Sequence, residues 1–150
     1  HACVNAESAF FIGRGMGSAI SYEGALKLKE ISYMHAEAYP AGEMKHGPIA
    51  LLHEGFPVIV VATDSPVYDK VISNIQESRA RGAMIVAIAT EGDENIKKYA
   101  DHVISIPKVR DCFSAITASV PLQLFARSIA VERGCDVDQP RNLAKSVTVE

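Results

Sequence analysis

Residues 9–18 read AFFIGRGMGS, a short apolar run followed by glycines at three alternate positions. Such a run is typical of a buried strand, and the glycines allow the tight turn that leads from a strand into a helix. Beyond the turn, residues 18–34 carry apolar side chains at helical spacing. The stretch therefore predicts a strand, a turn and a helix in direct succession.

The same alternation continues along the chain. We predict further strands at residues 57–61, 84–89 and 102–106, and further helices at residues 68–81, 93–100 and 120–133. Between the first helix and the second strand, prolines and glycines predict an irregular stretch with only a short apolar piece at 49–52.

Near-continuous apolar strands separated by helices indicate a parallel sheet that is covered on both faces. The predicted fold class is α/β: a doubly wound parallel sheet of flavodoxin-like strand order, in three layers. We expect this domain to cover residues 1–134. In residues 135–150 the periodicity disappears, which predicts an extended C-terminal tail.

The composition is that of a globular protein, with 150 residues, 48% hydrophobic residues and a net charge of −3. The small negative charge excludes a general electrostatic footprint for nucleic acid. The longest apolar segment contains Pro121, Gln123 and Arg127, which argue against a membrane span. Three cysteines without Cys-x-x-Cys spacing predict reduced thiols in a cytoplasmic protein and no metal centre. The chain begins with His1 rather than Met, which predicts either an excised piece of a longer chain or a processed product.

The glycine turn has two interpretations. It binds an anion through backbone amides at the start of the helix, or it is only a tight turn. A dinucleotide cofactor is disfavoured because Ser18 stands where the fingerprint has a glycine. It is also disfavoured because more than twenty residues separate the helix from the next predicted strand.

The first predicted helix carries a charged strip between two apolar ones. Glu23, Lys27 and Glu30 fall on one stripe about 60° wide, with apolar side chains on both flanks. Ordinary ion pairing explains such a stripe. Alternatively, a carboxylate between apolar walls has a raised pKa, which a neighbouring lysine lowers again, and that combination suits a general base.

Two other segments contain candidate groups. Residues 36–48, AEAYPAGEMKHGP, bring two acids, a lysine and His46 close to a predicted strand end. His46 is either an acid or base that acts near neutral pH, or a polar loop residue without a role. In the tail, Lys145 is a solvated charge unless the tail folds over a site, where its amine can form a Schiff base.

Three separated segments together resemble one enzyme family. They are EGALKLKE at residues 23–30, AEAYPAGEMKHGPIAL at residues 36–51 and PRNLAKSVTVE at residues 140–150. Their sequences and order are similar to those of the glutamine–fructose-6-phosphate aminotransferases. The resemblance runs the full length of the chain and points to the second, C-terminal sugar-isomerase (SIS) half of the synthase region.

The resemblance implies a reaction that needs no cofactor. These enzymes join fructose 6-phosphate to ammonia from glutamine and isomerise the product to glucosamine 6-phosphate, towards UDP-N-acetylglucosamine. By resemblance, Glu30 moves the proton between C2 and C1, and Lys27 assists it. His46 opens the sugar ring from the neighbouring subunit of a homodimer. Lys145 forms a Schiff base with the ketose. The residues that bind the substrate are Lys145, Glu30 and Ala144.

The resemblance also implies that this chain holds only part of a site. Residues 63–66 read TDSP where phosphosugar-binding domains of this fold carry a loop rich in Ser and Thr, and Asp64 repels phosphate. We expect the missing first SIS half to hold the phosphate, the missing N-terminal domain to hydrolyse glutamine, and the isolated chain to be inactive. The alternative is a non-catalytic, phosphosugar-binding regulatory domain, against which Asp64 and Lys145 both argue.

Overall fold

A computed structural model describes residues 1–143 and contains a five-stranded parallel sheet. Its strands are β1 (Ser8–Gly13), β2 (His35–Pro40), β3 (Pro57–Ala62), β4 (Met84–Thr90) and β5 (His102–Ile106). The helices are α1 (Met16–Ser32), α2 (Tyr68–Arg79) and α3 (Ser114–Glu132). The strand order is β2-β1-β3-β4-β5, so the predicted doubly wound, flavodoxin-like fold class is confirmed.

Both faces of the sheet are buried, because successive strand residues point to opposite sides. On one face, Phe11 shares a core with Leu28 of α1 and Leu122 of α3. On the other face, Phe10 shares a core with Ile75 of α2. The helices thus form the two outer layers around the sheet.

β2 is the main departure from the prediction, which placed an irregular stretch here. Its sequence, HAEAYP, contains no β-branched residue, so its intrinsic strand propensity is weak. The strand forms because it pairs along its whole length with β1, from Ser8 opposite His35 to Gly13 opposite Pro40. It begins three residues after α1 ends, so the long connection that we expected is wrong and no longer counts against a dinucleotide site. The argument from Ser18 is unaffected.

The helix predicted at residues 93–100 is also wrong. Only a single 3-10 turn, Ile96–Lys98, forms there. The reason is local, since one carboxylate oxygen of Asp93 accepts the backbone N–H groups of Asn95 at 2.9 Å and Ile96 at 3.0 Å. Such side-chain bonds compete with a regular helix, and β5 follows too closely for further turns.

α3 begins six residues before its predicted start, because Ser114, Ala118 and Leu122 continue one buried face across Pro121. With the turn before it, the segment Asp111–Glu132 is long and apolar enough to cross a membrane, by length and composition alone. Its buried face, however, belongs to the core shared with α1 and the sheet. Core packing thus accounts for the buried face of the helix, while Ile116, Val120 and Leu124 remain exposed on the other side.

α1 lies so close to β1 and α3 that Gly24 has no room for a side chain. A Cβ there would lie 2.9 Å from Cδ1 of Phe11 and 3.0 Å from Cδ1 of Leu122, both fully buried. We expect Gly24→Ala to lower the free energy of unfolding by about 1–2 kcal/mol, because overpacking exceeds the gain in helix propensity. Urea unfolding measures the change. Lys29→Ala, on the exposed side of α1, is the control, and a Gly24→Ala variant of higher stability would contradict this packing.

Candidate functional site

The charged stripe of α1 forms a cluster of ion pairs, which we call the α1 cluster (Glu23, Lys27 and Glu30). The Nζ atom of Lys27 lies 3.0 Å from Oε2 of Glu30 and 3.7 Å from Oε1 of Glu23. All three side chains are partly exposed. The hydrogen bond to Glu30 raises the pKa of Lys27 above its ordinary value, against a smaller lowering by burial. The ion pairing expected from the spacing is therefore present.

The α1 cluster places a carboxylate beside an amine that stays protonated at neutral pH. The ammonium of Lys27 restrains the carboxylate of Glu30 and can donate to an oxygen of a bound molecule. A carboxylate in such a position can take a proton from a carbon next to a carbonyl and return it to the neighbouring carbon. The cluster is thus suited to proton transfer.

The position of the α1 cluster in the fold differs from the expectation. Ligands of open α/β sheets bind at the carboxyl ends of the strands, where we expected the functional residues. α1 begins at the carboxyl end of β1 and returns to the amino end of β2. Lys27 and Glu30 therefore lie near the end of the sheet where the strands begin, which we call the amino edge; the carboxyl edge is the opposite end, where the strands finish. His46 lies beyond the carboxyl end of β2, in the 3-10 turn Ala41–His46. With 17 residues, α1 is about 25 Å long, which separates His46 widely from Glu30 of the same chain.

His46 has a partner that the sequence analysis missed. Its Nδ1 atom lies 2.8 Å from Oε2 of Glu43, and both side chains are exposed. A carboxylate at Nδ1 fixes the ring and favours the tautomer with a proton there, which leaves Nε2 as the nitrogen that can exchange a proton with a ligand. The three-residue spacing of Glu43 and His46 is the signal that could have revealed the pair.

Packing explains the glycine turn between β1 and α1. A Cβ on Gly13 would lie 2.4 Å from the backbone of Gly17, so the turn requires a glycine whether or not an anion binds. Between them, Arg14 donates its Nε–H to Oδ1 of Asn74 at 2.9 Å. Its guanidinium lies directly against Gly42, in the 3-10 turn that ends at the candidate histidine. The turn thus helps to shape that segment.

A cavity of about 260 Å³ lies at the carboxyl ends of β3, β4 and β5. Its lining includes three carboxylates, Asp64, Glu91 and Asp93, and one cation, Lys108. Lys108 pairs with Asp64 at 2.9 Å, so its charge is already compensated. The remaining negative charge disfavours a phosphate here, in agreement with the interpretation of Asp64.

The chain that follows α3, including the described part of the tail, returns to the end of α1. Arg133 donates to the backbone oxygen of Ser32 at 3.1 Å. Further along, the backbone N–H of Arg141 donates to the hydroxyl of Tyr33 at 3.0 Å, and the guanidinium lies 4.1 Å from the centre of the same ring. The tail therefore approaches the end of α1 that carries Lys27 and Glu30.

The predicted site residues thus fall into three groups. Lys27 and Glu30 lie together, and His46 lies at the opposite edge of the sheet. Ala144 and Lys145 lie outside the described residues.

Comparisons with known proteins agree with the fold. A model of the SIS domain family matches residues 3–133. A glutamine–fructose-6-phosphate aminotransferase of Thermus thermophilus is 63% identical over 145 residues, which are 97% of this chain and 24% of that protein. The enzyme of the same name from Mycobacterium tuberculosis is 51% identical over 100% of this chain and 25% of its own length. The chain thus spans about a quarter of the length of these curated relatives.

Solved structures give the same result. The C-terminal domain of glucosamine-fructose-6-phosphate aminotransferase from Francisella tularensis superposes with a TM-score of 0.84 at 39% identity, over 92% of this chain and 39% of that chain. A glucosamine-6-phosphate deaminase from Thermotoga maritima superposes with a TM-score of 0.75 at 29% identity, over 94% of this chain and 40% of that chain. The resemblance that three sequence segments suggested is confirmed.

The α1 cluster predicts unequal effects of its two carboxylates on Lys27. We expect Glu30→Gln to lower the pKa of Lys27 towards its ordinary value of 10.5, because the hydrogen bond to Glu30 is the main cause of the raised pKa. Glu23→Gln is the matched control and should lower the pKa less, since Glu23 is more distant at 3.7 Å. Titration of the lysine Cε resonance by NMR measures both changes. A larger effect of Glu23→Gln would show that the geometry of the cluster is wrong.

Proposed function

This chain belongs to the SIS domain family, and we propose that it is the C-terminal isomerase half of an enzyme that makes glucosamine 6-phosphate and glutamate from fructose 6-phosphate and glutamine. The observation that carries the proposal is the 63% identity to the Thermus aminotransferase over 97% of this chain. The complete enzyme is a cytoplasmic homodimer of amino-sugar synthesis, towards UDP-N-acetylglucosamine. Its glutaminase domain and first SIS half lie outside this chain.

Glu30 is the base of the isomerisation. Its carboxylate removes a proton from C1 of the sugar 2-imine and returns it to C2, which converts the ketose imine into the 2-amino aldose. Lys27, at 3.0 Å, holds that carboxylate and donates a hydrogen bond to the C1 oxygen, whose own proton passes to the imine nitrogen as the aldehyde forms. The pairing of base and ammonium in the α1 cluster supports this assignment.

His46 opens the ring of the sugar at the site of the neighbouring subunit. The support is geometrical, because His46 and Glu30 lie near opposite edges of the sheet and one chain cannot present both to one sugar. A dimer that sets the carboxyl edge of one subunit against the amino edge of the other brings them together. The exposure of His46 and its bond to Glu43 suit a group that acts on a partner's substrate.

The tail completes the domain of residues 1–134 at the amino edge. Lys145 attacks the C2 carbonyl of the open ketose, and loss of water gives the Schiff base. Ammonia from the glutaminase domain then displaces the lysine amine from C2 and leaves the free 2-imine on which Glu30 acts. Ala144, beside it, takes part in binding the same substrate. The support is the course of the described tail, which reaches Tyr33 at Arg141, four residues before Lys145.

The phosphate of the substrate belongs to the first SIS half. The carboxyl-edge cavity of this chain holds three carboxylates and a lysine already paired with Asp64, so it does not suit a phosphate. The regulatory alternative needs a phosphosugar site within this chain, and the same observation counts against it. The isolated chain is therefore expected to form no glucosamine 6-phosphate.

An exposed apolar stripe on α3 supports the proposal that a domain outside this chain covers it. Ile116, Val120 and Leu124 follow one another at four-residue intervals and are 71%, 53% and 57% exposed. Rows of large apolar side chains in water usually mark a contact surface. We place the first SIS half on this stripe, because matched chains of known structure are about two and a half times as long as this one.

Glu30→Gln tests the catalytic assignment in the full-length enzyme. We expect formation of glucosamine 6-phosphate to fall by about 10²- to 10⁴-fold, the usual effect of removing a general base. Hydrolysis of glutamine should persist, because it takes place in another domain. Glu23→Gln, in the same cluster, is the control and should retain isomerisation. Equal loss of both activities in Glu30→Gln would mean that Glu30 is structural.

A mixing experiment tests the donation of His46 between subunits. Subunits with Glu30→Gln and subunits with His46→Ala are each expected to be inactive alone, and the two are mixed after dissociation. Random pairing gives half mixed dimers, and each of these has one site with both an intact Glu30 and the partner's intact His46. The expected activity is therefore about a quarter of that of the unaltered enzyme, by the isologous symmetry of a dimer. If His46 served its own subunit, mixing would restore no activity.

A further inference from the structure

The residue at which α1 ends is in an unfavourable conformation. Tyr33 has φ 59° and ψ 15°, the left-handed region that glycine adopts freely and that strains a residue with a large side chain. Among residues 1–143, Asn142 is the only other non-glycine residue with positive φ, and asparagine tolerates it well. A tyrosine at this position weakens the end of the helix, which points to a use for its side chain.

The side chain of Tyr33 holds the tail by two contacts. Its hydroxyl accepts the backbone N–H of Arg141 at 3.0 Å. The guanidinium of the same arginine lies over the ring, 4.1 Å from its centre, as a cation–π contact. Arg141 is exposed and Tyr33 is only partly buried, so these contacts lie on the surface and add nothing to the core.

The tail reaches Tyr33 along a path of local contacts at the end of α1. Arg133 donates to the backbone oxygen of Ser32 at 3.1 Å, and the thiol of Cys135 lies 3.8 Å from the same oxygen. The carboxylate of Asp136 then accepts the N–H groups two and three residues further on, at 2.9 and 3.0 Å. These bonds turn the tail back towards the helix, and the contact of Arg141 with Tyr33 follows.

We propose that Tyr33 is a positioning residue that clamps the tail at Arg141 and so holds the segment that carries Lys145 near the α1 cluster. The role of the presented residues rests on the proposed function. Glu30 is three residues, about one helical turn, from Tyr33. Lys145 is four residues from Arg141, which is at most about 14 Å of extended chain.

The clamp shortens the stretch of chain between α1 and Lys145. Without it, the last contact with α1 among residues 1–143 is at Cys135, and ten residues rather than four lead from it to Lys145. The local concentration of a tethered group falls roughly as the −3/2 power of the tether length, so loss of the clamp lowers it about fourfold. We therefore expect loss of the clamp to slow formation of the Schiff base at least about fourfold.

Tryptic cleavage after Arg141 tests the clamp in the full-length protein. Tyr33→Leu removes both contacts, whereas Tyr33→Phe removes the hydroxyl and keeps the ring. A guanidinium stacked on a ring cannot enter the protease, so we expect cleavage to be about tenfold faster in Tyr33→Leu and intermediate in Tyr33→Phe. Mass spectrometry of the peptides that begin at Asn142 measures the rate, with cleavage after the exposed Lys108 as internal reference. Equal rates in Tyr33→Leu and the unaltered protein would overturn the clamp.

Tyr33→Gly separates the clamp from the stability of the helix end. It removes the same contacts as Tyr33→Leu but adopts the left-handed conformation without strain, so its thermal midpoint should be the higher of the two. We expect fast cleavage in both variants despite the different midpoints. If cleavage were fast in Tyr33→Leu but slow in Tyr33→Gly, unfolding of the helix end rather than loss of the contacts would explain it, and the clamp would be overturned.

The Schiff base links the clamp to the reaction. Borohydride reduces an imine between Lys145 and fructose 6-phosphate to a stable amine, and we expect this trapping to slow at least about fourfold in Tyr33→Gly and to recover partly in Tyr33→Phe. Fast cleavage with unchanged trapping would overturn the presentation of Lys145. Absence of trapping in the unaltered protein would contradict the proposed role of Lys145 and its presentation, while the cleavage rates alone decide whether Tyr33 clamps the tail.

Discussion

The close approach of α1 to β1 and α3 determines where the groups of the candidate site lie. Gly24 allows this approach, because the rings and methyl groups of Phe11 and Leu122 occupy the space that a larger side chain would need. Because β1 and α3 hold the helix on two sides, its orientation is fixed. The α1 cluster then lies on a partly exposed side of the helix. The end of the same helix is then a fixed point to which the tail attaches. The position of the candidate site thus depends on packing in the core.

The sequence predicted those parts of the fold that hydrophobic burial alone stabilises. β3 and β4 are apolar on both faces, and such runs are recognisable without knowledge of their neighbours. β2 depends on pairing with β1, a tertiary contact that a pattern of single residues does not contain. Residues 93–100 show the opposite error, since a local bond to Asp93 prevents a helix that the composition allows.

The candidate site divides in the same way. The pairing of Lys27 with Glu30 followed from helical spacing, and the bond between Glu43 and His46 was accessible by the same rule. The contact between Tyr33 and Arg141 joins residues 108 positions apart, and neither residue type indicates the other. This contact could be predicted only from the course of the tail, and the tail sequence has no periodicity from which that course could be inferred.

Arg133 also links two parts of the chain that are far apart in sequence. One nitrogen of its guanidinium donates to the backbone oxygen of Ser32, and another donates to that of Ala6, each at 3.1 Å. Ala6 lies just before β1, on the segment that enters the domain. Because both bonds share one rigid, planar group, a shift of the entering segment would pull on the helix end and on the root of the tail together. The side chain therefore provides a mechanical connection between the segment before β1 and the end of α1 that carries the candidate site.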